Sequence, residues 1–507
     1  MHNAGAEANV RVSKGGSSSG IGVNKQAIRA AIHVAAVFAM YLSAAMLIPA
    51  AVDLYYGNPD WQVFLLSALL VGGTAVAVML ATRGSKPHGN TRFALFLVNL
   101  LWMTLALAGA VPFMLSSLNL SLTDAVFESM SGVTATGSSI MRTVEGVPPG
   151  ILLWRSLLSF MGGLGVIVLG LFLLPFLNIG GVSYFKVEST DISDRPFERF
   201  QVFTISLIGV YVTLALVCAT AYASAGMPGF HAINHAMTTV ATGGFSTHDT
   251  SFVRYADNPI ILWTGSVFMF IGGLPFSVMI LLGVRGRVYA LRDPQIRVYA
   301  GYTLVFVALV TIYLRATRDL SFFDALTHAT FNIVSIITTS GFASDDYIFW
   351  GPFAVACIYV ATFMGGCSGS TTGGIKAYRF LILYQLMGNG LRRLIYPNMV
   401  LPVRYGDRTV DYDMQRAVVL FMSSFFVLWT IITVMLAATG LDFVTALTGA
   451  LASLTNVGPG LGPVIGPMGN FSSFSDPAKW ICSAAMLLGR LEILAVLVVF
   501  SPMFWRG

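Results

Sequence analysis

Four short polar runs, each set between a dozen-residue semi-apolar stretch and a full apolar span, constrain this chain more than any other feature. They read VTATGSS ending near Ser139, VATGGFS ending at Ser246, TTSGFAS ending at Ser344 and TNVGPGLG ending at Gly462. Aligned on Gly137, Gly243, Gly341 and Gly458, they recur at separations of 106, 98 and 117 residues. That period is too long for a solenoid unit and suits a module of two membrane helices with something between them. The semi-apolar stretches are Asp124 to Val133, Ala232 to Val240, Asp324 to Ile337 and Asp442 to Leu454. Apolar runs of about 10–14 residues are too short to cross a bilayer and fit re-entrant segments. Each module therefore reads helix, half-helix, extended loop, helix.

Composition agrees. Of 507 residues, 56% are hydrophobic and 10% charged, where a soluble domain carries about 25% charged residues. Apolar runs near the ~20 residues needed to cross a bilayer cover Val34 to Val52, Trp61 to Ala81, Phe93 to Leu115 and Trp154 to Leu177. Others are Val202 to Ala223, Leu262 to Val284, Val418 to Ala438 and Trp480 to Phe500. The fold class expected is an all-α polytopic membrane protein. Its four helix–re-entrant loop–helix repeats surround one pore, and two N-terminal transmembrane helices precede them. The expected organisation is a disordered cytoplasmic tail over 1–32 (its SKGGSSSG at Ser13 to Gly20 is the clearest part), then two spans over 33–90. Four repeats follow over 91–199, 200–297, 298–415 and 416–507. The first apolar run starts too late, and is too long, for a cleaved signal peptide. Cys218, Cys357, Cys367 and Cys482 lie in apolar runs without metal-ligand spacing.

With ten spans and a cytoplasmic N-terminus, 22 of the 29 Lys and Arg residues fall on the cytoplasmic side, as the positive-inside rule requires. Arg142, Arg155, Arg254, Arg315, Arg318 and Lys479 fall outside, with 13 of the 23 acids, and Arg490 and Glu492 fall within the membrane. An acidic outer face would attract cations, although acidic loops are also simply soluble ones. No HExxH, paired intramembrane carboxylates or nucleophile with its base is present, so enzymatic chemistry is not expected. Neither an organic cofactor nor a nucleic-acid partner is expected.

Extended backbone at membrane depth survives only when buried in protein or lining a water-filled cavity. Four such loops on one axis would form a ring of carbonyls able to replace a potassium ion's hydration shell. Glycine permits the backbone angles that turn carbonyls inward. Beyond each loop the second spans also repeat: FMGGL at Phe160 to Leu164, FIGGL at Phe270 to Leu274, FMGGC at Phe363 to Cys367 and LLGRL at Leu487 to Leu491. Arg490 stands where the other copies hold glycine. A charge at that depth is functional by default: it could repel a waiting cation, or it could be a structural pair with backbone carbonyls or Glu492. The i, i+2 spacing points those two side chains about 200° apart, against direct pairing. Between Gly365 and Gly374 five glycines alternate with Ser368, Ser370, Thr371 and Thr372. This run cannot easily stay helical, and broken membrane helices mark ion paths. It is not a phosphate loop, because Lys376 follows Ile375 rather than glycine.

The four loops, the phrase GGCSGSTTGGIK at Gly365 to Lys376 and LGRLEIL at Leu488 to Leu494 resemble the Trk/Ktr/HKT superfamily of potassium transporters. Length and the two extra N-terminal spans look like its TrkH branch rather than the shorter KtrB one. The resemblance runs from about Val34 to Trp505. It implies a homodimer in the plasma membrane with one pore per protomer and potassium as the transported ion. It implies a filter of Ala135, Thr136 and Gly137; Ala241, Thr242 and Gly243; Thr339, Ser340 and Gly341; and Asn456, Val457 and Gly458. Serine at the first glycine goes with sodium preference in plant relatives; this chain keeps glycine at all four. The first loop continues GSS, where other loops have GG or GF. The resemblance also implies a gate at Gly366, Ser368, Gly369, Ser370, Thr371, Thr372, Gly373, Gly374 and Lys376, with Arg490 as a barrier beneath the filter. A cytosolic nucleotide-binding ring, TrkA-like, would control it, since this chain has no GxGxxG at a strand-to-helix junction. Coupling to protons or sodium is the alternative, with Glu492 the only acid deep in a full span.

Three further features stay open. His231 and His235 have metal-compatible spacing but no third ligand nearby in sequence. Asp345 and Asp346 could gather cations at the mouth or be merely solvated. Tyr396 to Arg416, with Arg404, Arg408 and Arg416 beside Asp407, Asp411 and Asp413, reads as a docking surface or as a plain solvated loop.

Overall fold

The computed structural model describes residues 25–85, 91–177, 196–283, 286 and 288–505. The Ser13 to Gly20 stretch lies outside them. The first eight residues of helix α1 (Lys25–Ala45) fall within the stretch expected as tail, and it continues into α2 (Leu47–Tyr55); α3 (Trp61–Ala81) completes the N-terminal pair. The first repeat comprises α4 (Thr91–Leu115), the half-helix α5 (Leu122–Val133) and α6 (Pro149–Leu177). The second comprises α7 (Pro196–Ser224), α8 (Gly229–Val240), α9 (Pro259–Gly272) and α10 (Phe276–Gly283). The third comprises α11 (Pro294–Thr317), α12 (Phe322–Ile337), α13 (Pro352–Ala361) and α14 (Ala377–Ile395). A two-stranded hairpin follows, β1 (Arg404–Tyr405) with β2 (Arg408–Thr409). The fourth repeat comprises α15 (Tyr412–Ala438), α16 (Phe443–Thr455), α17 (Asp476–Arg490) and α18 (Leu494–Phe500), with α19 (Pro502–Trp505) at the end. The apolar lengths and bent pairs make this a multi-pass membrane protein.

The half-helices start where local chemistry dictates. Ser121 and Ser321 accept the N–H of Asp124 and Asp324, each at 3.1 Å, and Asp442 accepts that of Thr445 at 3.0 Å. These caps satisfy amides that would otherwise be orphaned in a dry setting. The N-terminal pair is bolted on by acids. Buried Asp53 accepts Gly150 N–H at 2.7 Å at the start of α6, and Asp60 accepts the N–H and hydroxyl of Ser117 at 3.1 and 2.8 Å.

The second spans depart from expectation. Sequence suggested a break only in the third repeat, yet Leu262 to Val284 and Trp480 to Phe500 are not continuous either. α9 and α10 meet at 102°, and α17 and α18 at 115°. Pro275 explains the first bend, having no N–H to offer and clashing with the preceding turn. Glu492 and Ile493, at φ 61° and 43°, mark the second. Only α6 runs through, over 29 residues. Several of the charges in the tally are buried within the protein. Glu128, Arg155, Lys376 and Arg379, assigned to the two faces, are at most 8% exposed. Buried charges persist when paired, and each has partners described below.

Candidate pore and gate

The four loops leave their half-helices in one shape. Ala135, Thr242, Thr339 and Asn456 are left-handed, at φ 50°, 51°, 56° and 56°. Such a conformation costs a residue with a Cβ about 1–2 kcal/mol, and strain of this kind concentrates at functional sites. Next, Thr136 N–H donates to Ser131 O, Gly243 to Thr238 O, Ser340 to Ser335 O and Val457 to Ala452 O, at 2.8–3.0 Å. Then comes a glycine at positive φ: Gly137, Gly244, Gly341 and Gly458.

The second repeat is therefore one residue out of the register read from sequence. Gly244, not Gly243, is the equivalent of Gly137, and Gly243 is the equivalent of Thr136. The adjacent glycines hid this, because either satisfies the same pattern. In the true register the loops continue GSS, GFS, GFA and GPG, so the supposed GG continuation disappears. Ser138 uses the room left by the missing phenylalanine to donate to Gly458 O at 3.0 Å.

The loops converge and close a ring. A Cβ on Gly137 would lie 2.8 Å from Gly243 O, one on Gly244 2.1 Å from Ser340 O, one on Gly341 2.1 Å from Val457 O and one on Gly458 2.6 Å from Thr136 O. Each repeat thus presses its glycine on the carbonyl before the next repeat's glycine, one to two to three to four and back to one. The four half-helices end at this ring, bringing the negative ends of their dipoles to it. The repeated glycine beneath each loop has a related cause. A Cβ on Gly162 or Gly489 would lie 1.9 or 2.0 Å from the half-helix carbonyl of Val133 or Leu454.

Below the ring, residues 365–376 of the third repeat cross the axis. The hydroxyl of Thr371 lies 3.1 Å from both Val240 O and Gly272 O and 3.2 Å from that of Thr242, all in the second repeat. Its carbonyl accepts from Arg490 at 2.8 Å, in the fourth. Repeats two and four stand opposite in the ring, so Thr371 spans the axis. Gly373 N–H donates to Thr339 Oγ1 at 2.7 Å and Gly374 N–H to Thr455 O at 2.8 Å. Within the run, Thr372 Oγ1 accepts Gly366 N–H at 3.1 Å, Ser370 Oγ donates to Cys367 O at 2.6 Å, and Gly369 O accepts Phe276 N–H at 2.9 Å. Ser368 N–H donates to Gln295 Oε1 at 2.9 Å, and buried Lys376 bonds the carbonyl of Thr372. Every gate residue expected from sequence belongs to this segment.

Arg490 is 5% exposed and also donates to Gly162 O at 3.3 Å. Its guanidinium bonds backbone carbonyls, and those carbonyls lie under the ring. It does not pair with Glu492. That acid pairs with Arg379, whose guanidinium lies 3.6 Å over the Phe421 ring. Sequence reasoning missed Arg379, Gln295 and the Glu128–Arg155 pair. None has a local signature, since each partner is at least 27 residues away.

Beside the second loop, folding supplies the third histidine that the sequence lacked nearby. His248 stacks on His231 at 4.6 Å between centroids, and its Nε2 lies 3.0 Å from Tyr255 OH. No metal-holding group of three His, Cys, Asp or Glu exists among the described residues. Burial, then the charges of His231 and Arg254, push His248 from 6.5 down to about 4, with Asp249 opposing. The fold favours neutral imidazole, so this contribution is complete above pH 6.5 and is lost as pH falls towards about 4. The ring, 14% exposed, is worth about 1 kcal/mol. The thermal midpoint of detergent-solubilised protein should fall across that window, and His248→Gln should flatten the fall.

The spans, ring and crossing segment define a membrane transport protein with a fourfold pore, and the comparisons agree. Residues 67–506 match the TrkH family model, described as cation transport protein. The chain belongs to the TrkH family. It is 41% identical over 476 residues to the Trk system potassium uptake protein TrkI of Halomonas elongata, covering 94% of this chain and 96% of that one. It is 36% identical to TrkH of Escherichia coli, covering 94% and 99%. The crystal structure of the potassium transporter TrkH from Vibrio parahaemolyticus superposes with a TM-score of 0.88 at 32% identity, over 94% of this chain and all of that one. The relatives are named as transporters, in keeping with the expectation of a non-enzymatic chain.

Proposed function

We propose that this protein takes up potassium ions across the plasma membrane through a channel-like pore, with the carbonyl ring as its selectivity filter. The observation that carries the reading is the closed cycle of glycine-to-carbonyl approaches among the four loops. Carbonyls so placed exchange for an ion's water shell, and passage needs binding firm enough to admit the ion and weak enough to release it. The test is potassium against sodium flux in liposomes. A chain that passes both equally has no such filter. The N-terminus lies in the cytoplasm, as the lysine and arginine bias supports.

Residues 366–376 are the gate, with Arg490 a barrier to cations beneath the filter. A TrkA-like cytosolic nucleotide-binding subunit moves the gate, and a hydrogen-bonded chain supports the route. Tyr405 on the hairpin donates to Asp293; Asp293 accepts Gln295 N–H at 3.0 Å; the Gln295 side chain holds Ser368 N–H. The hairpin is also tied to α14, by two bonds between Gln385 and Arg404 at 2.7 and 2.8 Å. Gln295→Ala should raise flux without the partner severalfold and blunt the response to it, read in liposomes with and without the subunit. Unchanged coupling would remove the hairpin route. The protein works as a homodimer, and cross-linking in native membranes tests that. Coupling to protons or sodium has less support, because Glu492 is held by Arg379.

A further inference from the structure

The brace behind the filter is not the same in the four repeats. Seven residues before the left-handed residue of each loop, the half-helices carry Glu128, His235, Asn332 and Gly449 at matching positions. His235 Nε2 lies 3.1 Å from Ser246 Oγ, and Asn332 Nδ2 donates to Ser344 Oγ at 2.8 Å, each within its own repeat. Gly449 has no side chain, and Ile465 packs there. Glu128 alone is charged. Its oxygens accept from Ser139 Oγ at 3.0 and 3.1 Å and from Ile140 N–H at 2.9 Å.

Glu128 also alone has an ionic partner on another element. Arg155 Nε on α6 donates to Glu128 Oε1 at 2.7 Å, with the side chains 3% and 0% exposed. The guanidinium goes on to Ser139 Oγ at 3.0 Å and crosses into the second repeat, reaching Ser246 O at 3.2 Å and lying 4.1 Å over the Phe245 ring. One buried pair therefore holds the outgoing backbone of two neighbouring filter loops, the first by an amide and the second by a carbonyl. The other braces fix a loop only to its own half-helix.

We propose that Glu128 and Arg155 are positioning residues that set the ion preference of the pore by fixing the spacing of the first and second filter loops. The proposal rests on the reading of these loops as the filter. A carbonyl ring prefers the larger alkali ion only while its oxygens resist closing on the smaller one. Further out, the seam between loops one and two is tied by Asp249, which accepts from the Thr143 hydroxyl at 2.7 Å and Val144 N–H at 2.5 Å; next to the filter the neutral braces stay within their own repeats and leave the seam to this pair. The charge-assisted pair supplies a directional link across it.

The experiment uses the full-length chain in liposomes and reads the potassium-to-sodium flux ratio alongside the amount of folded protein. Glu128→Gln should lower the ratio about tenfold while potassium still passes. Arg155→Lys keeps the charge but loses the fork to Ser139 and Ser246, and should fall between it and the parent. If either single variant fails to fold because one buried charge is left alone, the double Glu128→Gln/Arg155→Gln removes both charges and carries the test. Exposed Asp257→Asn should leave the ratio unchanged. A ratio within twofold of the parent in every folded variant, double included, overturns the proposal and leaves the pair a stabilising contact. Gly244→Ser in parallel separates the two layers. If it alters the ratio and the brace variants do not, only this inference fails. If neither alters it, the filter reading fails as well.

Discussion

Gly244→Ser should abolish most of the preference for potassium over sodium, and Gly243→Ser should do much less. At Gly244 the backbone is at φ 72°, and a Cβ would sit 2.1 Å from Ser340 O, a member of the carbonyl ring. The left-handed conformation alone costs a serine about 1–2 kcal/mol. The approach is too close for any contact, so Ser340 O must move and the ring must distort. A loss of about 3 kcal/mol in differential ion stabilisation is about a hundredfold in the flux ratio. At Gly243 φ is not positive, and a Cβ would meet the Ser159 side chain at 2.8 Å, behind the ring. That neighbour can give where a ring carbonyl cannot. The pair of variants also tests the register. If Gly243→Ser were the more damaging, the equivalence of Gly244 with Gly137 would be wrong.

Removing the Arg490 side chain should open the pore. Arg490→Ala deletes the bonds to Thr371 O and Gly162 O and, with them, the positive charge under the filter. A hydrogen bond from a charged donor contributes about 1.5–3 kcal/mol. Loss of one such latch shifts the closed-to-open ratio about tenfold to a hundredfold. Potassium flux without any partner subunit should rise by that factor. Arg490→Lys and Arg490→Gln divide the cause. Lysine keeps the charge but has no planar fork to reach two carbonyls at once; glutamine keeps donors without charge. Flux that stays low in the lysine variant and rises in the glutamine one assigns the barrier to electrostatics. The opposite order assigns it to the latch. Unchanged flux in all three removes Arg490 from the gate.

Some of this architecture was legible because its causes are local. The half-helices observed at Leu122–Val133, Gly229–Val240, Phe322–Ile337 and Phe443–Thr455 lie within three residues of the stretches read from sequence. Short apolar length sets their extent, and Ser121, Ser321 and Asp442 set their starts. The break between α13 and α14 was legible for a similar reason: its glycines and hydroxyl residues cannot sustain a helix. Two errors had equally physical origins. Gly243 and Gly244 are indistinguishable by type, and only the backbone, with Gly243 N–H donating to Thr238 O and Gly244 at positive φ, assigns their roles. The breaks after Gly272 and Arg490 lie in runs whose overall length and hydropathy suit a full span despite Pro275, Arg490 and Glu492, so those two measures read them as intact.

The chain's own order of residues determined the membrane setting, the count of modules and the place of each loop, since apolar length, capping and helix tolerance act over a few residues. Tertiary structure alone decided that the loops meet, which glycine faces which carbonyl, and that Thr371, Arg155 and Arg490 find partners in other repeats. Those contacts join positions separated by as many as 328 residues. A buried hydrogen bond or charge is satisfied only by whatever the fold brings opposite it, and no short-range pattern encodes that neighbour.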